Sequence, residues 1–123
     1  MVLEKQVIRL FKKTKKEIRM KLEEITMLGN WNTEEELIKI IELIEDKISY
    51  KGYSEDEVIT LVNKLLEINV LSLKYEAREE LLNTLCNANS YYNIQEKVDF
   101  NNILAIKDEL EDDLKEYILE LFG

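Results

Sequence analysis

The sequence predicts an all-α fold of about five antiparallel helices, an α-hairpin stack or HEAT-like bundle, on three observations. No proline occurs in 123 residues, and the three glycines (Gly29, Gly52, Gly123) fall where helical periodicity stops. Strand boundaries and β-hairpins usually need more turn chemistry than that. Apolar residues recur at three- and four-residue steps along most of the chain. Two Ser/Thr-x-x-Glu sequences stand directly before apolar runs, which is the signature of a capped helix start. The length fits one helical domain over residues 1–123. A chain of this size buries roughly two-thirds of its unfolded surface and stands without staples.

The first helix is expected from Leu3 to Leu28, with Val7, Phe11, Ile18, Leu22, Ile25 and Leu28 on one face and Gly29 as a left-handed stop. Its opposite face is basic. Such a helix could lie on an anionic membrane; pairing with acidic neighbours as a solvated outer helix is the favoured reading, because Glu17, Glu23 and Glu24 interrupt the charge. Asn30-Trp31-Asn32 reads as a loop, and Thr33 with Glu36 as a capping box that opens a second helix ending near Ile48. Leu37, Ile41, Ile44 and Ile48 are its inward positions, and Ser49-Tyr50-Lys51-Gly52 closes it. A second capping box, Ser54 with Glu57, opens a third helix carrying Val58, Leu61, Val62, Leu65 and Ile68, with Tyr53 stapled against Val58.

Asn69 and Ser72 mark the next turn, with Ser72 as the expected cap. The fourth helix then runs to about Asn89 with Leu73, Ala77, Leu81, Leu85 and Ala88 inward. Residues 87–93 are rich in asparagine and tyrosine and read as a loop. Asp99 or Asn101 caps a last helical segment, with Ile103, Ile106, Leu110, Leu114, Tyr117 and Leu121 in period and a break expected near Asp108–Asp112. Loops of three to eight residues make successive helices antiparallel neighbours.

Charge is unevenly distributed. Residues 1–21 hold eight basic and two acidic residues, a local +6, so the remainder carries −15 of an overall −9. Such a body repels phosphate backbones and attracts basic partners. The prediction is a basic protein partner, no nucleic acid and no membrane. No segment reaches the roughly 18 apolar residues of a membrane span, and the N-terminus does not read as a secretory signal. A single cysteine fits a reducing compartment, and the cytoplasm is the expected location.

The absence of histidine removes Ser-His and Cys-His nucleophile pairs and zinc-protease motifs. With one cysteine, a structural zinc site is excluded too, and no glycine forms a phosphate-cradling loop. Cys86 has no neighbouring cation in sequence to activate it and reads as packing. Carboxylates remain. Glu76/Glu79 and Glu109/Asp112 are i, i+3 pairs that would share a helix face and could hold Mg²⁺. They look like the E-x-x-E and E-x-x-D pairs of all-α nucleotide pyrophosphatases, but Tyr75 stands where that family has an acid. Equivalent pairs recur at Glu42/Glu45 and Asp113/Glu116. The reading is accordingly not an enzyme, with no cofactor and no metal, and the pyrophosphatase kept as the alternative. Of the six tyrosines, Tyr50, Tyr53, Tyr91 and Tyr92 fall in expected loops or helix ends, where they and Trp31 could serve as interface anchors or cap the ends of the core.

The run Leu73-Lys74-Tyr75-Glu76-Ala77-Arg78-Glu79-Glu80-Leu81-Leu82, the Tyr91-Tyr92 pair and the closing Glu116-Tyr117-Ile118-Leu119-Glu120-Leu121-Phe122-Gly123 resemble small helical immunity proteins of bacterial polymorphic and contact-dependent inhibition toxin systems. The similarity covers roughly the last half of the chain. It implies a cytoplasmic protein that binds and blocks a cognate toxin domain, frequently a nuclease, and it carries over no defined site residues. Charge and aromatic placement give the expected contact surface: Glu76, Glu79, Glu80, Tyr91, Tyr92, Glu109, Asp112 and Asp113. A generic helical adaptor is the remaining alternative.

Overall fold

The computed structural model describes residues 22–122, and these form helices and turns with no strand among them. The helices are α1 (Glu23–Leu28), α2 (Glu34–Ser49), α3 (Glu55–Leu66), α4 (Tyr75–Tyr92), α5 (Asn101–Ala105) and α6 (Asp112–Phe122), with short 3₁₀ turns at Val70–Ser72 and Lys107–Glu109. The expected apolar period is the observed core. Leu37, Ile41, Ile44 and Ile48 of α2, Val58, Leu61, Val62 and Leu65 of α3, and Ala77, Leu81, Leu85 and Ala88 of α4 are buried.

Cross-helix hydrogen bonds give the topology. Glu34, in the first turn of α2, accepts from the Lys74 N–H at the start of α4 at 2.8 Å. Glu45, near the end of α2, accepts from Asn83 and Asn87 further along α4. Helices α2 and α4 therefore run in the same direction, and theirs is the most extensive helix contact. On the other flank of α4, Tyr75 bonds Asp113 and the Cys86 thiol donates to the Tyr117 carbonyl, so α6 extends the layer in the same sense. Helices α2, α4 and α6 thus lie side by side in one layer, with α1 packed on α2 and α3 on α4. Helix α4, flanked on both sides, also buries Leu82, Thr84 and Cys86. Its width of burial is that of a central helix, not of one with a single apolar stripe.

Several local expectations are corrected. The chain is extended at Leu22 (φ −53°, ψ 122°), so the helix expected over Leu3–Leu28 is broken there; its part over residues 3–21 lies outside the described residues. Gly29 is right-handed, its N–H reaching the Ile25 and Thr26 carbonyls. Within the Ser49–Gly52 closure of α2 the left-handed residue is Lys51 (φ 55°). Thr33 accepts from Glu36 N at 3.1 Å, but the Glu36 carboxylate takes Asn32 N, so that box is only half formed. The Ser54–Glu57 box is complete. Helix α3 stops at Leu66, leaving Ile68 half-buried beyond it.

Ser72 does not cap α4. Its hydroxyl donates to the Asn69 carbonyl inside a 3₁₀ turn, and Lys74 holds the N-cap position. The segment read as a loop over 87–93 is helical to Tyr92, where Asn93 (φ 51°) ends it. Tertiary anchoring overrides its low propensity: Asn87 is tied to Glu45, Ala88 is buried, and the Tyr92 hydroxyl donates to the Tyr53 carbonyl. The expected break before the last helix is present; neither Asp99 nor Asn101 is the cap of α5, whose N-cap position is Phe100 without a side-chain hydrogen bond, and Asp99 accepts from Asn101 N at 2.9 Å just ahead of it. In α6 it is Ile118 that is fully buried, with Tyr117 half-buried beside it.

Candidate docking face

Helix α4 places two adjacent glutamates into two different seams. Successive residues on a helix point about 100° apart, so Glu79 turns toward α6 while Glu80 turns toward α2. On the α2 side, Asn83 and Asn87 Nδ2 donate to Glu45 Oε1 at 3.2 and 3.1 Å. Glu80 faces the same carboxylate. Burial first, then a hydrogen bond with Glu45 and the charges of Glu45, Glu42 and Glu79, push its carboxyl up to about 7.

On the α6 side, the Tyr75 hydroxyl donates to Asp113, with Glu79 Oε2 at 3.4 Å as a second acceptor. Both acids hold the phenol well above its ordinary value, the Asp113 hydrogen bond contributing most. Beyond it lies a pocket of about 260 Å³ lined by Glu79, Asp113, Glu116, Tyr117 and Glu120, without a lysine or arginine. Burial and then the Glu79 charge raise Tyr117 as well. At the N-terminal ends of α2 and α4 a larger groove of about 780 Å³ is lined by Trp31, Ile38 and Tyr75 together with Glu34, Glu35, Glu76 and Lys74. The result is an acidic face with aromatic rings set into it.

The predicted contact set is only partly assembled here. Glu79 and Asp113 meet through Tyr75, Glu80 lies across α4 from them, and Glu76 lines the groove beside Trp31. Asp112 is an exposed residue ion-paired to Lys115 at 3.3 Å. Glu109 stands in the 3₁₀ turn before α6, with an extended Leu110 between, so Glu109 and Asp112 do not share a helix face. Tyr91 is exposed, while Tyr92 is half-buried with its hydroxyl donating to the Tyr53 carbonyl, so the two rings are presented differently. Tyr75, Tyr117, Glu45, Glu116 and Glu120 were missed. The i, i+4 spacing of Tyr75/Glu79 and Glu116/Glu120 put each pair on one face, but the meeting of α4 with α6 is tertiary.

Among the described residues, ion pairs join Lys47 with Glu24, Lys64 with Glu67, Arg78 with Glu111, Lys97 with Glu55 and Lys115 with Asp112. Cys86 is buried, and desolvation followed by the Glu120 charge pushes its thiol up to about 12, as befits a packing residue. Among the described residues no group of three or more Asp, Glu or Cys side chains is arranged to hold a metal ion, and no helix is long and apolar enough to cross a membrane. The fold and face define an all-α helical-hairpin protein with an acidic layer surface. Comparison with protein-family profiles, curated proteins and solved structures gave no significant match.

Proposed function

We propose that this protein is a stoichiometric inhibitor of the immunity type, which binds a basic cognate toxin domain in the cytoplasm and occludes it. The observation that carries the reading is the acidic face of the α2/α4/α6 layer, where Glu79, Asp113, Glu116 and Glu120 line a pocket with no lysine or arginine among the described residues, and Glu42, Glu45 and Glu80 crowd the adjoining seam. Acidic surfaces of this kind speed encounter with a basic partner and set its register. Trp31 and Tyr75 in the adjoining groove supply the large, low-entropy contact area typical of interface centres. The resemblance of the last half of the chain to immunity proteins supplies the identity of the partner.

The test asks first whether the adjacent coding region encodes a protein with a basic C-terminal domain, and then titrates that domain calorimetrically with the full chain and its Glu79→Lys/Glu116→Lys variant. The expected result is 1:1 binding that weakens as salt rises. In the variant it should be weakened about 100-fold, corresponding to roughly 3 kcal/mol, with the helical circular dichroism unchanged. Unchanged affinity in the variant removes this face from the reading.

A further inference from the structure

Glu45 and Glu80 share the α2–α4 seam with Asn83 and Asn87. Glu80, Asn83 and Asn87 recur at three- and four-residue steps and so share one face of α4. Two hydrogen bonds from Asn83 and Asn87 to Glu45 Oε1 fix that face against α2. The titratable groups facing Glu80 are Glu45 and Glu42 from α2 and Glu79 from its own helix. Glu80 is half-buried on the face that the two amides hold against Glu45, and carboxylates gathered in a seam partly withdrawn from water cannot all ionise without strong repulsion. The seam is satisfied when one carboxyl keeps its proton and donates it to the other.

We propose that the Glu45–Glu80 pair is a proton-operated switch in the α2–α4 seam: protonated Glu80 donates to Glu45 and closes the seam, and loss of the proton sets two carboxylates against each other and loosens it. The position of Glu80 near pH 7, far above the ordinary 4.5, agrees with this geometry. The chain has no histidine and the Cys86 thiol lies at about 12, so neither side-chain type obscures the window between pH 6 and 8. Because the folded state holds a proton that the unfolded chain releases near 4.5, stability from this pair is full below that value. It falls as pH rises to about 7 and is level above it. The same deprotonation adds a negative charge to the α2/α4/α6 face. Its effect on a basic partner rests on the function proposed above; the switch itself does not.

The experiment uses the full chain without a partner. Carboxyl ¹³C resonances are followed by NMR from pH 4 to 8.5, and thermal unfolding is measured over the same range. One glutamate should titrate near pH 7 and the melting temperature should decline toward that pH. In Glu80→Gln the titration disappears and the decline between pH 6 and 7 flattens; in Glu45→Gln the titration moves toward the ordinary glutamate range. If every glutamate of the unmodified chain titrates below pH 5.5, the proposal is overturned, and this arm requires no variant to fold. A decline that persists in Glu80→Gln overturns it equally.

Discussion

Removing the carboxylate of Glu24 should destabilise the fold by about 3 kcal/mol, and most of that cost should vanish when Tyr53 is also changed. Glu24 is 1% exposed, on a helix of only six residues. One carboxylate oxygen accepts from Lys47 Nζ at 2.9 Å and the other from the Tyr53 hydroxyl at 3.0 Å. It thereby clips α1 to the last turn of α2 and to the loop before α3. In Glu24→Ala the buried Tyr53 hydroxyl loses its acceptor, a penalty of about 1–3 kcal/mol. The Lys47 contact adds only about 1 kcal/mol, because that side chain is a third exposed and turns to water. In the Tyr53→Phe background no buried donor is orphaned, and the same substitution should cost about 1–1.5 kcal/mol. Urea unfolding of the four chains of this cycle measures the coupling directly, provided the m-value holds constant. A Glu24→Ala cost below about 1 kcal/mol, or a coupling near zero, would refute the clip.

Two further substitutions should stabilise the chain. Thr84 is fully buried on α4, and its hydroxyl finds no hydrogen-bond partner among the described residues; Thr84→Val replaces the stranded oxygen with a methyl and should gain about 1 kcal/mol in urea unfolding. Lys51 holds a left-handed conformation that glycine adopts without cost; Lys51→Gly should add about 0.5–1 kcal/mol, read as a rise of roughly 2–5 °C in Tm. A lowered Tm in the second would mean that the loop draws on the lysine side chain itself.

Helix existence was legible because burial and period coincide on α2 and α3, where each helix has one inward stripe. Its ends were less so. Gly29 invited a left-handed stop, yet that end closes right-handed, and in the Ser49–Gly52 closure it is Lys51 that turns left-handed. Composition misled at residues 87–92, where asparagine and tyrosine are poor helix formers in isolation. Here Asn87 is held by Glu45 and Tyr92 by Tyr53, partners some 40 residues away that no local window contains. Glu24 was read as part of a charged outer surface, since its partners Lys47 and Tyr53 lie 23 and 29 residues further along the chain.

The candidate face failed to be legible for a more specific reason. Glu76, Glu79 and Glu80 form one acidic cluster in sequence, but a helix flanked on both sides divides its neighbours between seams. Glu80 enters a like-charged contact with Glu45, whereas Glu79 shares the Tyr75 hydroxyl with Asp113. Glu80 is therefore exposed to proton uptake, and Glu79 is an acceptor for a phenol. Substituting the two together, as their adjacency invites, would superimpose a change in seam protonation on a change in surface charge. Separating them is what allows charge reversal at Glu79 and Glu116 to report on docking while Glu80 reports on the proton.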